Sequence, residues 1–245
     1  MSQLAPAAAT INYGTRCRLG VMFPSANYVA EPQLTAMLPA GVSLHTTRLQ
    51  LKPGVDKLRM LDRLEEAVEL LTDAQVQCLA FHCTAVSMWQ LDMPEIISGR
   101  MKACTDIPTV VTSTAVVAAL REVGAKKIVL VSPYVQETND REIALLEHYG
   151  VTVLSDRALG IQGAGAMGEV TPETWVDVVT EMRDDNADAY FVSCTAVKSA
   201  EVIDRLEAEL GRPVLTSNQS MLWQALRLSG ISDSVAGFGQ LLRNH

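Results

Sequence analysis

The tetrapeptide Cys-Thr-Ala-Val occurs twice in this 245-residue chain, and each copy closes an apolar run of the kind that forms a buried strand. Val76-Gln77-Cys78-Leu79-Ala80-Phe81-His82 leads into Cys83-Thr84-Ala85-Val86, and Ala189-Tyr190-Phe191-Val192-Ser193 leads into Cys194-Thr195-Ala196-Val197. The repetition extends further: Leu19-Gly20-Val21-Met22-Phe23-Pro24 parallels Val129-Leu130-Val131-Ser132-Pro133, and Val42 to Arg48 parallels Val151 to Arg157. Pro24 and Pro133, like Arg48 and Arg157, lie 109 positions apart, and Cys83 and Cys194 lie 111 apart, so the register persists through most of a half. Each half reads strand–helix three times, with the cysteine at the end of the third strand. This pattern predicts an α/β fold of two pseudo-symmetric, Rossmann-like lobes, each a mostly parallel sheet flanked by helices, with the active site in the cleft between them. The lobes are expected at 17–125 and 126–212, with the segment 213–245 packing on the first.

In open α/β sheets, ligands bind outside the carboxyl ends of the strands, where the residue after a strand meets the start of a helix. A cysteine there lies among free backbone N–H groups, an environment that lowers a thiol pKa from about 8.5. A core position accepts Val, Ala or Cys alike, so packing alone does not account for two matching thiols, although common descent of the halves would. A pseudo-twofold axis would bring Cys83 and Cys194 to opposite walls of one pocket.

Composition restricts the partners. A net charge of −8 and a pI near 5.0 argue against a nucleic-acid or anionic-membrane surface, so an anionic ligand must be held by local donors. No apolar stretch reaches the roughly 18 residues of a membrane span, and Leu4 to Thr10 lacks the basic and apolar regions of a signal peptide. That segment reads as a loose tail of a cytoplasmic protein. Five cysteines without paired spacing fit a reducing compartment. Homo-oligomerisation is left open.

Cofactor motifs are missing. Gly160-Ile161-Gln162-Gly163-Ala164-Gly165 lacks both the P-loop lysine and the dinucleotide spacing and reads as a plain loop. His82 and Cys83 are adjacent on a strand and face opposite ways, which disfavours both a zinc site and a Cys–His dyad. Neither a cofactor nor a metal is expected. Helices are expected from Gly54 to Leu71, after a cap at Ser113-Thr114-Ala115, to about Tyr149, from Thr171-Pro172 and from Glu201 to Leu210. Asn218 reads as a cap.

Two facing thiols without a cofactor fit racemisation or addition–elimination isomerisation, in which one sulfur attacks or deprotonates carbon while the other moves a proton on the opposite face. Such a carbon needs an adjoining carboxylate, so the expected partner is a small carboxylate or dicarboxylate. The candidate neutral donors are Ser25, Asn27, Thr84, Tyr134, Asn139 and Thr195, with Ala85 and Ala196 presenting backbone beside each thiol. Helix capping or interface packing is the competing role for several of them.

These residues resemble the aspartate/glutamate racemase superfamily, in particular the maleate cis–trans isomerases and the related arylmalonate decarboxylases, from about Arg18 onward. Pro24-Ser25-Ala26-Asn27 is similar to the isomerases' Pro-Ser-Ser-Asn, and His45-Thr46-Thr47-Arg48 to their His-Ser-Ser-Arg. Val123 to Ile128 with Pro133-Tyr134 is similar to their second-half entry, and the paired Cys83 and Cys194 are the most specific marks. The resemblance implies that Cys83 adds to the alkene of a cis-dicarboxylate, that Cys194 handles the proton on the adjacent carbon, and that Asn27 and Tyr134 bind carboxylates. Ala164 stands where the isomerases carry Asn, while Arg157 to Gly163 and Trp223 to Leu228 are similar to the decarboxylases. The decarboxylases, however, carry one catalytic thiol, with Gly at the position of Cys83, and lack the equivalent of Asn27. The two thiols favour an isomerase or racemase, with decarboxylation or carboxylate binding without turnover as alternatives.

Overall fold

The computed structural model describes residues 11–51 and 56–245. The segment Leu4–Thr10 and the helix start expected at Gly54 lie outside them. The first lobe runs β1 (Cys17–Pro24), α1 (Ala30–Met37), β2 (Val42–Leu49), a 3-10 helix (Lys57–Arg63), α2 (Leu64–Asp73), β3 (Cys78–Phe81), α3 (Thr84–Ser87), α4 (Met93–Cys104), β4 (Thr109–Val111) and α5 (Thr112–Glu122). The second runs β5 (Lys127–Ser132), α6 (Gln136–His148), β6 (Thr152–Ala158), α7 (Ala164–Glu169), α8 (Pro172–Glu181), β7 (Ala189–Val192), a 3-10 turn (Ala200–Val202), α9 (Ile203–Leu210) and β8 (Val214–Thr216). α10 (Ser217–Leu228) and α11 (Gly239–Asn244) follow. The strands form two parallel four-stranded sheets with the same order, β2-β1-β3-β4 and β6-β5-β7-β8. Each half thus has four strands, the fourth only three residues long: Thr109–Val111, which the sequence itself reads as a short strand, and Val214–Thr216.

The two-residue period of the strands sorts the core into layers. Leu19, Val21 and Phe23 of β1, Cys78 and Ala80 of β3, Ile128 and Leu130 of β5, and Ala189 and Phe191 of β7 join one apolar cluster shared by both sheets, with α1, α5 and α10 inside it. The alternate residues face outward: Met22, Leu79 and Phe81 pack under α2 and α4, and Val129, Val131, Tyr190 and Val192 under α8 and α9. Both faces of each sheet are therefore covered, which is why the strands read as continuous apolar runs.

The carboxy-terminal segment divides between the lobes. β8 is an edge strand of the second sheet, beyond the boundary expected at 212, whereas α10 packs on α5 and α1 of the first lobe. Thr216 accepts from Gln219 N at 3.1 Å in a capping box that starts α10, so the cap is Thr216 and Asn218 is not one. Asn218 is instead a buried bridge: its Nδ2 donates to Gln33 Oε1 at 2.7 Å and Thr195 O at 3.3 Å, and its Oδ1 meets His82 Nε2 at 2.8 Å. Gln33 Nε2 in turn donates to Val197 O at 2.8 Å. α5 likewise differs from expectation, starting directly from β4 at Thr112 without a side-chain cap.

Two features of this frame generate tests. Cys194 has φ +92°, a left-handed backbone that costs a non-glycine residue about 1–3 kcal/mol. Cys194→Gly should therefore melt higher than Cys194→Ala by roughly 2–12 °C for a chain of this size, and equal melting temperatures would remove the strain. Burial lowers the His82 pKa from 6.5 to about 4, with the Asn218 bond opposing the shift. A depressed histidine pKa contributes stability above about 6.5 that is lost as pH falls toward 4, about 2 kcal/mol by pH 5. Urea titrations at pH 7 and 5 should show that loss diminished in His82→Gln, and an undiminished loss would exclude His82 as its source.

Candidate active site

A cavity of about 520 Å3 lies where the carboxyl ends of β1, β3, β5 and β7 meet, within the usual range for small-molecule sites. Cys83 and Cys194 both line it, one from each lobe. Cys83 is the extended residue (φ −151°) between β3 and α3, with the Ala85 and Val86 N–H groups turned to its sulfur. Cys194 occupies the equivalent place after β7; Ala196 N donates to its Sγ at 3.3 Å, and Met167 Sδ lies 3.9 Å away. One hydroxyl joins the two turns: Ser217 Oγ accepts from Cys194 N at 3.1 Å and from Thr84 Oγ1 at 2.8 Å.

Neither thiol is acidified, contrary to the expectation from strand-end location. Both are buried, and removing a thiolate from water outweighs the few N–H groups that a four-residue helix such as α3 supplies. Burial pushes Cys83 up to about 12 and Cys194 to about 11 from an ordinary 9.0. For Cys83 this disfavours the thiolate by about 4 kcal/mol in the free protein. The Tyr134 hydroxyl hydrogen-bonds the Cys194 sulfur and favours its thiolate, while burial and that same contact raise Tyr134 itself. Beneath this wall Glu142 is fully buried; Ser193 Oγ donates to its Oε1 at 2.5 Å, and burial raises the carboxyl to about 8, so it is neutral at pH 7.

Asn27, Thr84, Ala85, Tyr134, Thr195 and Ala196 line the cavity with the thiols. Asn27 combines capping and lining: its Oδ1 accepts from Val29 N at 2.9 Å and Ala30 N at 3.0 Å, and its Nδ2 donates to Thr195 Oγ1 at 3.0 Å across the cleft. Two candidates are corrected. Ser25 is exposed and turns away to Leu51, whose N–H its Oγ accepts at 3.1 Å, because the chain leaves β1 in a turn at Ser25-Ala26 in which Ser25 N donates to Leu49 O and Ser25 stays beside β2. Asn139 is fully buried outside the cavity, accepting from Ser132 Oγ at 2.6 Å and donating to Asp156 at 2.7 Å, so its amide is consumed in tying α6 to the sheet.

Several lining residues were not legible beforehand. The stretch taken as a plain loop turns at Gly163, φ +84°, into α7, and Ile161 to Met167 form one wall. Lys57 and Thr138 face each other across the mouth, Lys57 Nζ donating to Thr138 Oγ1 at 2.8 Å. A lone lysine between Asp56 and Leu58 carries no periodic signal, and Ser217 was visible only as a helix start. Among the described residues no group of three or more His, Cys, Asp or Glu side chains is arranged to hold a metal ion, and no helix is long and apolar enough to cross a membrane.

Comparison with known proteins agrees with this architecture. The maleate isomerase of Alcaligenes faecalis is 27% identical over 243 residues, covering 92% of this chain and 96% of that protein. Two solved structures share the fold at 24% identity. The maleate isomerase Iso of Pseudomonas putida S16, a Cys-to-Ala form with maleate, superposes with a TM-score of 0.88 over 92% of this chain and 97% of that one. The Nocardia farcinica maleate cis-trans isomerase, a Cys-to-Ser mutant with a covalently bound succinylcysteine intermediate, gives 0.85 over 94% and 99%. The family model for arylmalonate decarboxylase matches residues 19–242, and with that match running from the first strand into the last helix, the chain belongs to the arylmalonate decarboxylase family.

Proposed function

We propose that this protein is a two-cysteine isomerase of the maleate cis–trans isomerase type, acting on a small unsaturated dicarboxylate without a cofactor. The observation that carries the reading is that Cys83 of one lobe and Cys194 of the other line the same cavity. The sequence relationship to a maleate isomerase along nearly the full length of both chains supports it, as does the second thiol itself.

The chemistry follows from the geometry. Cys83 first loses its proton to solvent; the thiolate then forms a C–S bond to one alkene carbon, and the displaced electron pair passes to the neighbouring carbon and its carboxylate as an enediolate. Cys194 gives its thiol proton to that carbon, leaving a single bond about which the adduct rotates. Cys194 then takes a proton back, the C–S bond breaks, and the trans product leaves with both sulfurs restored. Cys194 at about 11 is protonated at neutral pH, as this role requires. The Thr195 hydroxyl and the second amide proton of Asn27 supply uncharged donors for carboxylate oxygens, while Thr84 and Tyr134 direct their hydroxyl protons to Ser217 and to the Cys194 sulfur. A second reading, decarboxylation of a substituted malonate with Cys194 as proton donor, is favoured by the apolar wall of Leu51, Ile161, Ala164, Ala166 and Met167.

With maleate, Cys194→Ser should accumulate an adduct on Cys83 equal in mass to the whole substrate, located by peptide mapping, while steady turnover drops about 10²–10⁴-fold. Carbon dioxide release from a disubstituted malonate, with full activity in Cys83→Gly, would instead establish the decarboxylase reading. In the free enzyme, iodoacetamide labelling of Cys83 should climb steadily with pH beyond 9, because a raised pKa keeps the thiolate scarce below it. A labelling plateau below pH 8 would contradict the burial effect.

A further inference from the structure

The cavity wall contains a single charged side chain among the described lining residues, Lys57. Its backbone is fixed as the first residue of the 3-10 helix Lys57–Arg63, which Asp56 caps by accepting from Leu58 N at 2.9 Å. Its Nζ lies over Trp89, 4.5 Å from the ring centroid, and Arg141 helps fix the same ring, its guanidinium 4.1 Å from the centroid and its Nη1 donating to Trp89 O at 3.1 Å. The ammonium reaches across to Thr138 on the second lobe. The side chain is thus half-buried and ordered before any ligand arrives, so little rotamer entropy remains to be lost on binding.

Among the described residues this cation has no counter-ion. Among the described residues no carboxylate approaches Lys57 within ion-pair distance; Glu137 and the Cys83 sulfur act on it only through space, and Arg141 repels it. Burial lowers its pKa from 10.5, the expected consequence of a cation withdrawn from water without a partner. One of its three protons is directed at Thr138, leaving two donors for a ligand. The rest of the wall is neutral or apolar. A carboxylate is the group that satisfies this arrangement, since it accepts from both an ammonium and a neighbouring hydroxyl.

We infer that Lys57, with Thr138, is the anchor for the second carboxylate of the substrate, the one not taken up by the neutral donors around the two thiols, and that it selects dianions over monoanions. The inference rests on the reading of the cavity as a carboxylate site and assigns a specificity-determining role to a residue outside the two thiol turns. Leu51 and Met167, which line the same cavity, offer apolar contact to an alkyl substituent on that dianion.

The test is a binding measurement that does not need turnover. In a Cys83→Ser/Cys194→Ser background, calorimetry should compare maleate and succinate with the monoanions crotonate and butyrate, before and after Lys57→Met, which retains an unbranched stem against Trp89. The anchor predicts that Lys57→Met weakens both dianions at least tenfold and the monoanions less than threefold. Equal weakening of all four, or no weakening of the dianions, would overturn it. Lys57→Gln provides a second neutral variant, with circular dichroism and melting confirming the fold. Alkylation of Cys83 in Lys57→Met, made with both thiols intact, separates the competing role: slowed alkylation with unchanged dianion affinity would make Lys57 a partner of the thiolate and end the proposal. The isomerase reading stands or falls separately, on the covalent adduct, because dianion selection is measured in a variant that cannot react.

Discussion

One buried amide holds the two halves in register. Asn218 touches β3 of the first lobe through His82, α1 through Gln33, and the second cysteine turn through Thr195. Buried polar groups without partners are costly, so an arrangement in which this amide is fully used tolerates little sliding of one lobe over the other. Ser217, the preceding residue, accepts one hydrogen bond from each thiol turn. Two consecutive side chains at the start of α10 thereby set where Cys83 and Cys194 stand relative to each other, which is the requirement for any chemistry shared between them.

Much of this was readable in the residue order. The doubled Cys-Thr-Ala-Val and the matched Pro24/Pro133 and Arg48/Arg157 foretold two lobes of like topology, because a period of that length leaves few other solutions. The sheets' common order and the shared cavity are what such a duplication implies. Asn27, Thr84, Tyr134 and Thr195, proposed because ligands gather within a few positions of a strand end, do line the cavity.

The remaining features depend on distance through space. Ser25 and Asn139 have the right chemistry and the right neighbourhood, yet one turns to Leu51 and the other is spent on Asp156 and Ser132, choices made by local backbone direction. The thiols' acidity was misjudged for a related reason. Helix N–H groups can be counted from a sequence, whereas the depth at which the sulfur lies cannot, and burial dominates at both positions. Lys57 enters the cavity from a segment with no repeat partner, so only the packed structure reveals it beside Trp89 and Thr138.

The crossing of α10 bears on how the chain is assembled as it is made. The inner face of the first sheet, with α1 and α5, is completed by Met221, Leu222 and Leu226, which come from nearly the far end of the chain. A ribosome adding about 5–20 residues per second delivers that cover roughly 5–20 s after α5 has been synthesised. Until then the amino-terminal half carries a bare apolar stripe along α5. Helix α10, arriving late, both seals that stripe and brings Ser217 and Asn218 into place, so closure of the core and construction of the cleft are a single late event.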